Sequence, residues 1–380
     1  MKFAKLIRRN LFRNKLRAIM TILLMMTIFF FVATLLSILR SFEVYSDAGK
    51  GYNRLVVQSA ISLANPLPYA HEQKLRAIPG VQDVCKLQWI GAYYKDKNDF
   101  FANFAVDHDH MQSVFDDYKA DPKEFAAFVA DRQGALVGED LMKREHWKVG
   151  QRITLKRQLF PFDPELTIRG TYSHPVNGSA LYFHMDYFDK SMRDWGQVGT
   201  FWLKIKDPKQ MAAISQQVDA MFKNSDYPTE TLTEKGFQQS FLSMMGNIKL
   251  LFTSLSVCAV FMVVLLAAIT MSMSARERTT EIAVLKAIGF ERRLILTLML
   301  TEFVTLTLIG GAIGVFFAKF VFSVVDIAKA TQGFLQGLSV AWPTVGLCLA
   351  VAAGVGLLAG GLPAMRAASM SVVNGLRRVV

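Results

Sequence analysis

No G-x-x-x-x-G-K-[ST] string occurs in these 380 residues, so the chain lacks the usual loop that cradles nucleotide phosphates. Cysteine is scarce. Cys258 and Cys348 fall inside long apolar runs and Cys85 in a polar stretch, which excludes a disulfide framework. His71-Glu72 has no second histidine to make a zinc-protease helix, and no local grouping of serine, cysteine and histidine carries a nucleophile signature. Asp107-His108-Asp109-His110 is the one cluster of metal-ligand types. Alternate side chains there can meet a metal on one strand face, but with no cysteine or further histidine close by in sequence it reads as a polar turn. The apolar runs 19–39, 250–273 and 344–362 carry no Asp, Glu, Lys or Arg, which argues against an ion-coupled carrier.

The formal charge is +12. Its distribution says what it is for. Residues 1 to 17 hold Lys2, Lys5, Arg8, Arg9, Arg13, Lys15 and Arg17 and no acid, and the insert 274–293 and the tail are also net basic. The long stretch from 40 to 249 is balanced. The excess is therefore a positive-inside signal and not a nucleic-acid footprint, and it puts both termini and the insert on the cytoplasmic side.

Four segments are long and apolar enough to span a bilayer: 19–39, the run within 236–273, 294–317 and 344–362. Before the first, Phe3, Leu6, Ile7 and Leu11 recur at helical spacing among basic residues, an amphipathic elbow over 1–18. No small-x-small cleavage site follows the first span, so it reads as an anchor. Residues 40–235 have the composition of an α+β domain with a core of its own, and a second unit over about 107–197 is inserted into it. Phe237, Phe241, Met244 or Met245, Ile248 and Phe252 continue the helical spacing into the second span, which predicts one long helix over 236–273 with a stalk at its outer end. A short outer loop, 318–343, joins the third span to the fourth, and Pro363 ends or kinks the fourth ahead of a tail over 363–380.

The insert 274–293, SARERTTEIAVLKAIGFERR, is too patterned for a passive loop. Ser274 stands three residues before Glu277, a capping-box spacing, and Gly289-Phe290 suits a Schellman stop, so the expectation is a helix of about four turns along the membrane surface. Ile282, Leu285 and Ile288 form an apolar strip that can enter a partner's groove. In the third span Glu302 is costly in lipid and reads as a structural group that bonds a neighbour or reaches the headgroups, with an ion pathway as the alternative, and Gly310, Gly311 and Gly314 permit close helix packing. Met25, Met26, Phe29, Phe30 and Phe31 read as packing or lipid-facing residues, with the lining of a path for an apolar substrate as the alternative.

Arg276-Glu277-Arg278-Thr279, Glu281-Ile282 and Leu285-Lys286-Ala287-Ile288-Gly289 together resemble the signature loop of MacB-type (FtsX/LolC-like) ABC transporter permeases. Arg9-Asn10-Leu11 with Arg13 to Arg17, and Pro363-Ala364-x-Arg366-Ala367-Ala368, are similar to that family's two termini, although Ser371 stands where the family usually has proline.

The resemblance implies an α-helical membrane protein with four transmembrane helices and a large extracytoplasmic α+β domain, a MacB-like periplasmic domain, between helices 1 and 2. It implies a permease subunit in the bacterial cytoplasmic (inner) membrane, driven by a separate cytoplasmic ABC ATPase. Glu277, Arg278, Thr279, Glu281, Ile282, Leu285, Lys286 and Gly289 would form the coupling helix on that ATPase. No cofactor is expected on this chain, since ATP and Mg would sit on the ATPase. A second permease chain, identical or a sister, a periplasmic adaptor and membrane lipid are the other implied partners, and nucleic acid is not. The implied work is export or extraction of a hydrophobic, peptide or lipid-like substrate, or else FtsX-like mechanical control of an outer enzyme without transport.

Overall fold

The computed structural model describes residues 15–47, 52–97, 101–174, 178–244, 247–325 and 338–372. The elbow reading for 1–14 and most of the outer loop lie outside them. The chain divides into two compact units. One contains residues 1–40, 247–326 and 338–380, and the other 41–246 and 327–337.

The first unit is a bundle of four long helices, α1 (Lys15–Asp47), α9 (Ile248–Glu277), α11 (Arg292–Val324) and α12 (Trp342–Ser369), with the short α10 (Thr279–Ala287) between α9 and α11. All four are long and apolar enough to cross a membrane. At 28 to 33 residues they span roughly 42–50 Å, more than a hydrocarbon core of about 30 Å, so their ends overrun the spans predicted from the sequence. Pro363 does not end the fourth helix, which runs on to Ser369 with the proline buried inside it. Pro363 and the neighbouring Ala364, Ala367 and Ala368 are packed against the bundle, which holds the helix together past the missing N–H.

Glycine sets the distance between α11 and its neighbours. A Cβ on Gly314 would stand 2.4 Å from the Met26 carbonyl oxygen, and one on Gly310 would stand 2.5 Å from the Met25 Cβ. Backbone meets backbone here. Met25 and Phe29 are fully buried in this packing, while Phe31 is exposed.

The second unit is built on one ten-stranded sheet with the order β12-β1-β11-β3-β4-β9-β6-β8-β5, β7 pairing β8 beside that path. Its strands are β1 (Arg54–Ser59), β3 (Val81–Trp89), β4 (Ala102–Val106), β5 (Lys119–Ala120), β6 (Gly134–Gly138), β7 (Arg152–Thr154), β8 (Glu165–Ser173), β9 (Ala180–His184), β11 (Thr200–Ile205) and β12 (Thr229–Thr233). β2 (Leu67–Pro68) and β10 (Gln197–Val198) pair separately. The order explains the inserted unit: β11 returns after the insert to lie between β1 and β3, and the insert's β9 continues the sheet beyond β4 in parallel. Helices α2 (His71–Arg76), α3 (His108–Val114), α4 (Pro122–Ala130), α5 (Glu139–Glu145), α6 (Met185–Ser191) and α7 (Met211–Phe222) pack on it.

α8 (Glu234–Met244) belongs to this unit, and α9 begins afresh at Ile248. One unbroken helix over 236–273 is therefore not what forms. The Asn247 side chain accepts from the Leu250 N–H at 3.1 Å, so a residue that favours N-caps starts a new helix where apolar spacing alone reads straight through.

Candidate functional site

The connection between the second and third long helices is folded tightly. Ser274 lies inside α9, which continues to Glu277, so the predicted capping box does not form. Arg278, at φ −100° and ψ 13°, is the single non-helical residue before α10. The Thr279 hydroxyl donates to the Arg276 carbonyl at 2.7 Å, and its own helix starts there. The stop is the predicted Schellman turn: Gly289 takes φ +99°, its N–H reaches the Lys286 carbonyl and the Phe290 N–H reaches that of Leu285, each at 3.0 Å. α10 thus has nine residues and about two and a half turns, shorter than the four expected, because α9 takes the front of the insert and α11 its end.

Only part of the predicted partner face points outward. Thr279, Ile282 and Ala283 are buried, and Ile282 and Leu285 pack in the same apolar cluster as Met271, Ile295 and Met299. The Lys286 ammonium donates to the Met370 carbonyl at the end of α12, a carbonyl that the helix leaves without an internal partner. Glu281 is half-buried, whereas Glu277, Thr280, Ala287 and Gly289 are exposed. Val284 is 43% exposed and Ile288 71%. The open face is therefore Glu277, Thr280, Val284 and Ile288. Thr280, Val284 and Ala287 escaped the sequence reading, although steps of three and four from Glu277 pass through Thr280 and Val284 to Ile288.

Arg278 turns inward. Its Nη1 lies 2.7 Å from Glu302 Oε2, with side chains 13% and 14% exposed. The pair borders a small cavity whose polar lining comes from Thr21, Thr270 and Ser274 on α1 and α9. Glu302 thus has a charged neighbour 24 residues away in sequence.

The domain contains two further charge clusters. Asp107 precedes α3 with extended backbone and His108 to His110 are helical, so no strand face presents these side chains. Ligand atoms of Glu72, Asp107 and His110 lie within 4.8 Å of one another. A cation is already there: Lys86 Nζ stands 2.6 Å from Glu72 and 3.0 Å from Asp107.

The second cluster centres on Arg54, fully buried, which pairs with Glu234 at 2.6 Å and with Asp117, while His174 bonds Asp117 at 2.9 Å. Burial alone would raise the Asp117 carboxyl, but the hydrogen bonds from His174 and Arg54 and the guanidinium charge hold it well below the carboxylate range. Glu234, more enclosed and repelled by Asp117, is raised, and Arg54 offsets only part of its burial.

Two family descriptions match this chain. "FtsX-like permease C-terminal" matches residues 253–372 and "MacB-like periplasmic core domain" matches residues 18–221. An uncharacterized ABC transporter permease of Methanocaldococcus jannaschii is 22% identical over 86% of this chain and 84% of its own length. The uncharacterized ABC transporter permease YvrN of Bacillus subtilis is 34% identical over 42% of this chain and 37% of its own. The macrolide export ATP-binding/permease protein MacB of Chromobacterium violaceum is 29% identical over 53% of this chain, which spans only 31% of that protein. Among solved structures, the periplasmic region of MacB from Actinobacillus actinomycetemcomitans matches 53% of this chain and 96% of its own, at 11% identity and a TM-score of 0.39.

Proposed function

The chain belongs to the ABC transporter permeases with an FtsX-like C-terminal region and a MacB-like periplasmic core domain, and from this premise we propose that it is the membrane subunit of an ATP-driven exporter. The ATPase is a separate cytoplasmic chain that carries ATP and Mg. In this reading the protein is a multi-pass protein of a bacterial cytoplasmic membrane with both termini inside, works as a dimer with an identical or sister permease, and passes a hydrophobic, peptide or lipid-like substrate outward, with or without a periplasmic adaptor.

The observation that carries the reading is the two-sided build of α10. One side is packed into the bundle through Ile282, Ala283 and Leu285, and the other presents Val284 and Ile288 beside Glu277 and Thr280. An apolar pair with polar neighbours on a short, capped helix is suited to a groove on a partner. Because Lys286 and Arg278 tie the same helix to α12 and α11, a push on its open face would move those helices and not merely bend a loop.

Val284→Asp tests this. Glu277, Thr280 and Val284 lie on the open side, so the change leaves the bundle intact and spoils the docking face; Leu285→Asp would disturb packing as well. Purified with its ATPase, the variant should lose permease-stimulated ATP hydrolysis and vesicle export while inserting normally. Undiminished stimulation would remove the coupling role from this hairpin. Stimulation without flux of any hydrophobic, peptide or lipid-like substrate in the unmodified protein would favour mechanical control of an outer enzyme.

A further inference from the structure

We propose that Arg278 and Glu302 form the positioning pair that fixes the angle of α10 against α11, so that displacement of the docking face is delivered to the third span; this rests on the coupling reading above. Three observations converge. Arg278 is the sole non-helical residue between α9 and α10, so on that side the hairpin can flex there without breaking a helix. Its guanidinium is anchored at 2.7 Å on Glu302, ten residues into α11 from Arg292 and so about 15 Å along that helix. The pair lies beside a small polar-edged cavity between α1, α9 and α11, where the surrounding packing is incomplete and the joint has room to turn.

Stability alone does not account for charges here. An ion pair this enclosed in a spanning bundle is costly, and an apolar pair of similar volume would hold the fold as well or better. What charges add is direction: a planar guanidinium bonded to a carboxylate holds an orientation that a methionine against a leucine does not. The pair acts through the helix it orients and touches no substrate, and its loss should therefore separate recruitment of the ATPase from stimulation.

Two variants of the full-length permease in lipid nanodiscs, Glu302→Gln and the double variant Arg278→Met with Glu302→Leu, test the proposal. Spin labels on Ile288→Cys and Ile309→Cys, in a Cys258→Ser background, report the hairpin's position against α11 by pulsed electron resonance without any ATPase present. The expected result is a narrow distance distribution in the parent protein and a broadened one in both variants. With the ATPase added, both variants should copurify with it as the parent does, yet stimulate its hydrolysis roughly tenfold less, within the range usual for a lost coupling between sites. Parent-like distance distributions together with parent-like stimulation in the double variant would overturn the proposal. Failure of the unmodified permease to recruit an ATPase would strike the coupling reading instead, and the distance measurement would still decide whether this pair sets the joint.

Discussion

Replacing Arg54 by methionine removes the one cation that two enclosed carboxylates share. Arg54 is fully buried, and Asp117 and Glu234 keep only 13% and 5% of their side-chain surface. Without it, Asp117 retains the hydrogen bond from His174, and Glu234, whose carboxyl is already raised by burial, takes up a proton. The cost is then about that of breaking one buried pair, about 3–5 kcal/mol, and not twice that. For a unit of roughly 200 residues each kcal/mol shifts the midpoint by about 2–4 °C, so a fall of roughly 6–20 °C is expected. Thermal unfolding of the purified permease followed by tryptophan fluorescence reads this unit, since Trp89, Trp147, Trp195 and Trp202 lie in it and only Trp342 does not. Adding Asp117→Asn and Glu234→Gln should restore most of the loss. A shift under about 2 °C for Arg54→Met, or a triple variant no better than the single, would refute the reasoning.

Two more perturbations follow from the same physics. Burial, then the nearby Lys74 charge, lowers the His71 imidazole to about 4, and the ring stacks on Phe222 at 3.9 Å. The unfolded chain therefore binds a proton that the folded one refuses, so stability should rise with pH between about 4 and 6.5, and His71→Phe should flatten that part of the urea-unfolding pH profile. Gly314→Ala sets a methyl against the Met26 carbonyl, whereas Gly346→Ala meets nothing within 4 Å. The first should lose about 1–3 kcal/mol and some heat resistance in detergent, and the second should match the parent.

What a sequence can show of such a chain follows from the range of each interaction. The four apolar runs and the Leu285, Gly289 and Phe290 stop are local, and both are legible in the residues themselves. Strand β9, Ala-Leu-Tyr-Phe-His, gives no alternation because all five of its residues are buried between two neighbours, and so it carries no period to recognise. The edge strand β12, Thr-Glu-Thr-Leu-Thr, is too polar to stand out. Arg54 meets Glu234 across 180 residues of chain and Asp117 across 63, a node that no spacing announces. In the hairpin, Ile282 and Ile288 share the apolar spacing of one strip, but six residues are 600° of helix, which sets the two about 120° apart, and Ile282 is buried where Ile288 is exposed.

Photocrosslinkers placed singly at Ile282, Val284 and Ile288 of the permease, in membranes that also contain its ATPase, separate the buried side of that helix from its open side. Adducts to the ATPase from 284 and 288 and none from 282 are the expected pattern. No adduct at any of the three, or adducts equally strong at 282, would contradict the docking of this hairpin on a nucleotide-hydrolysing partner.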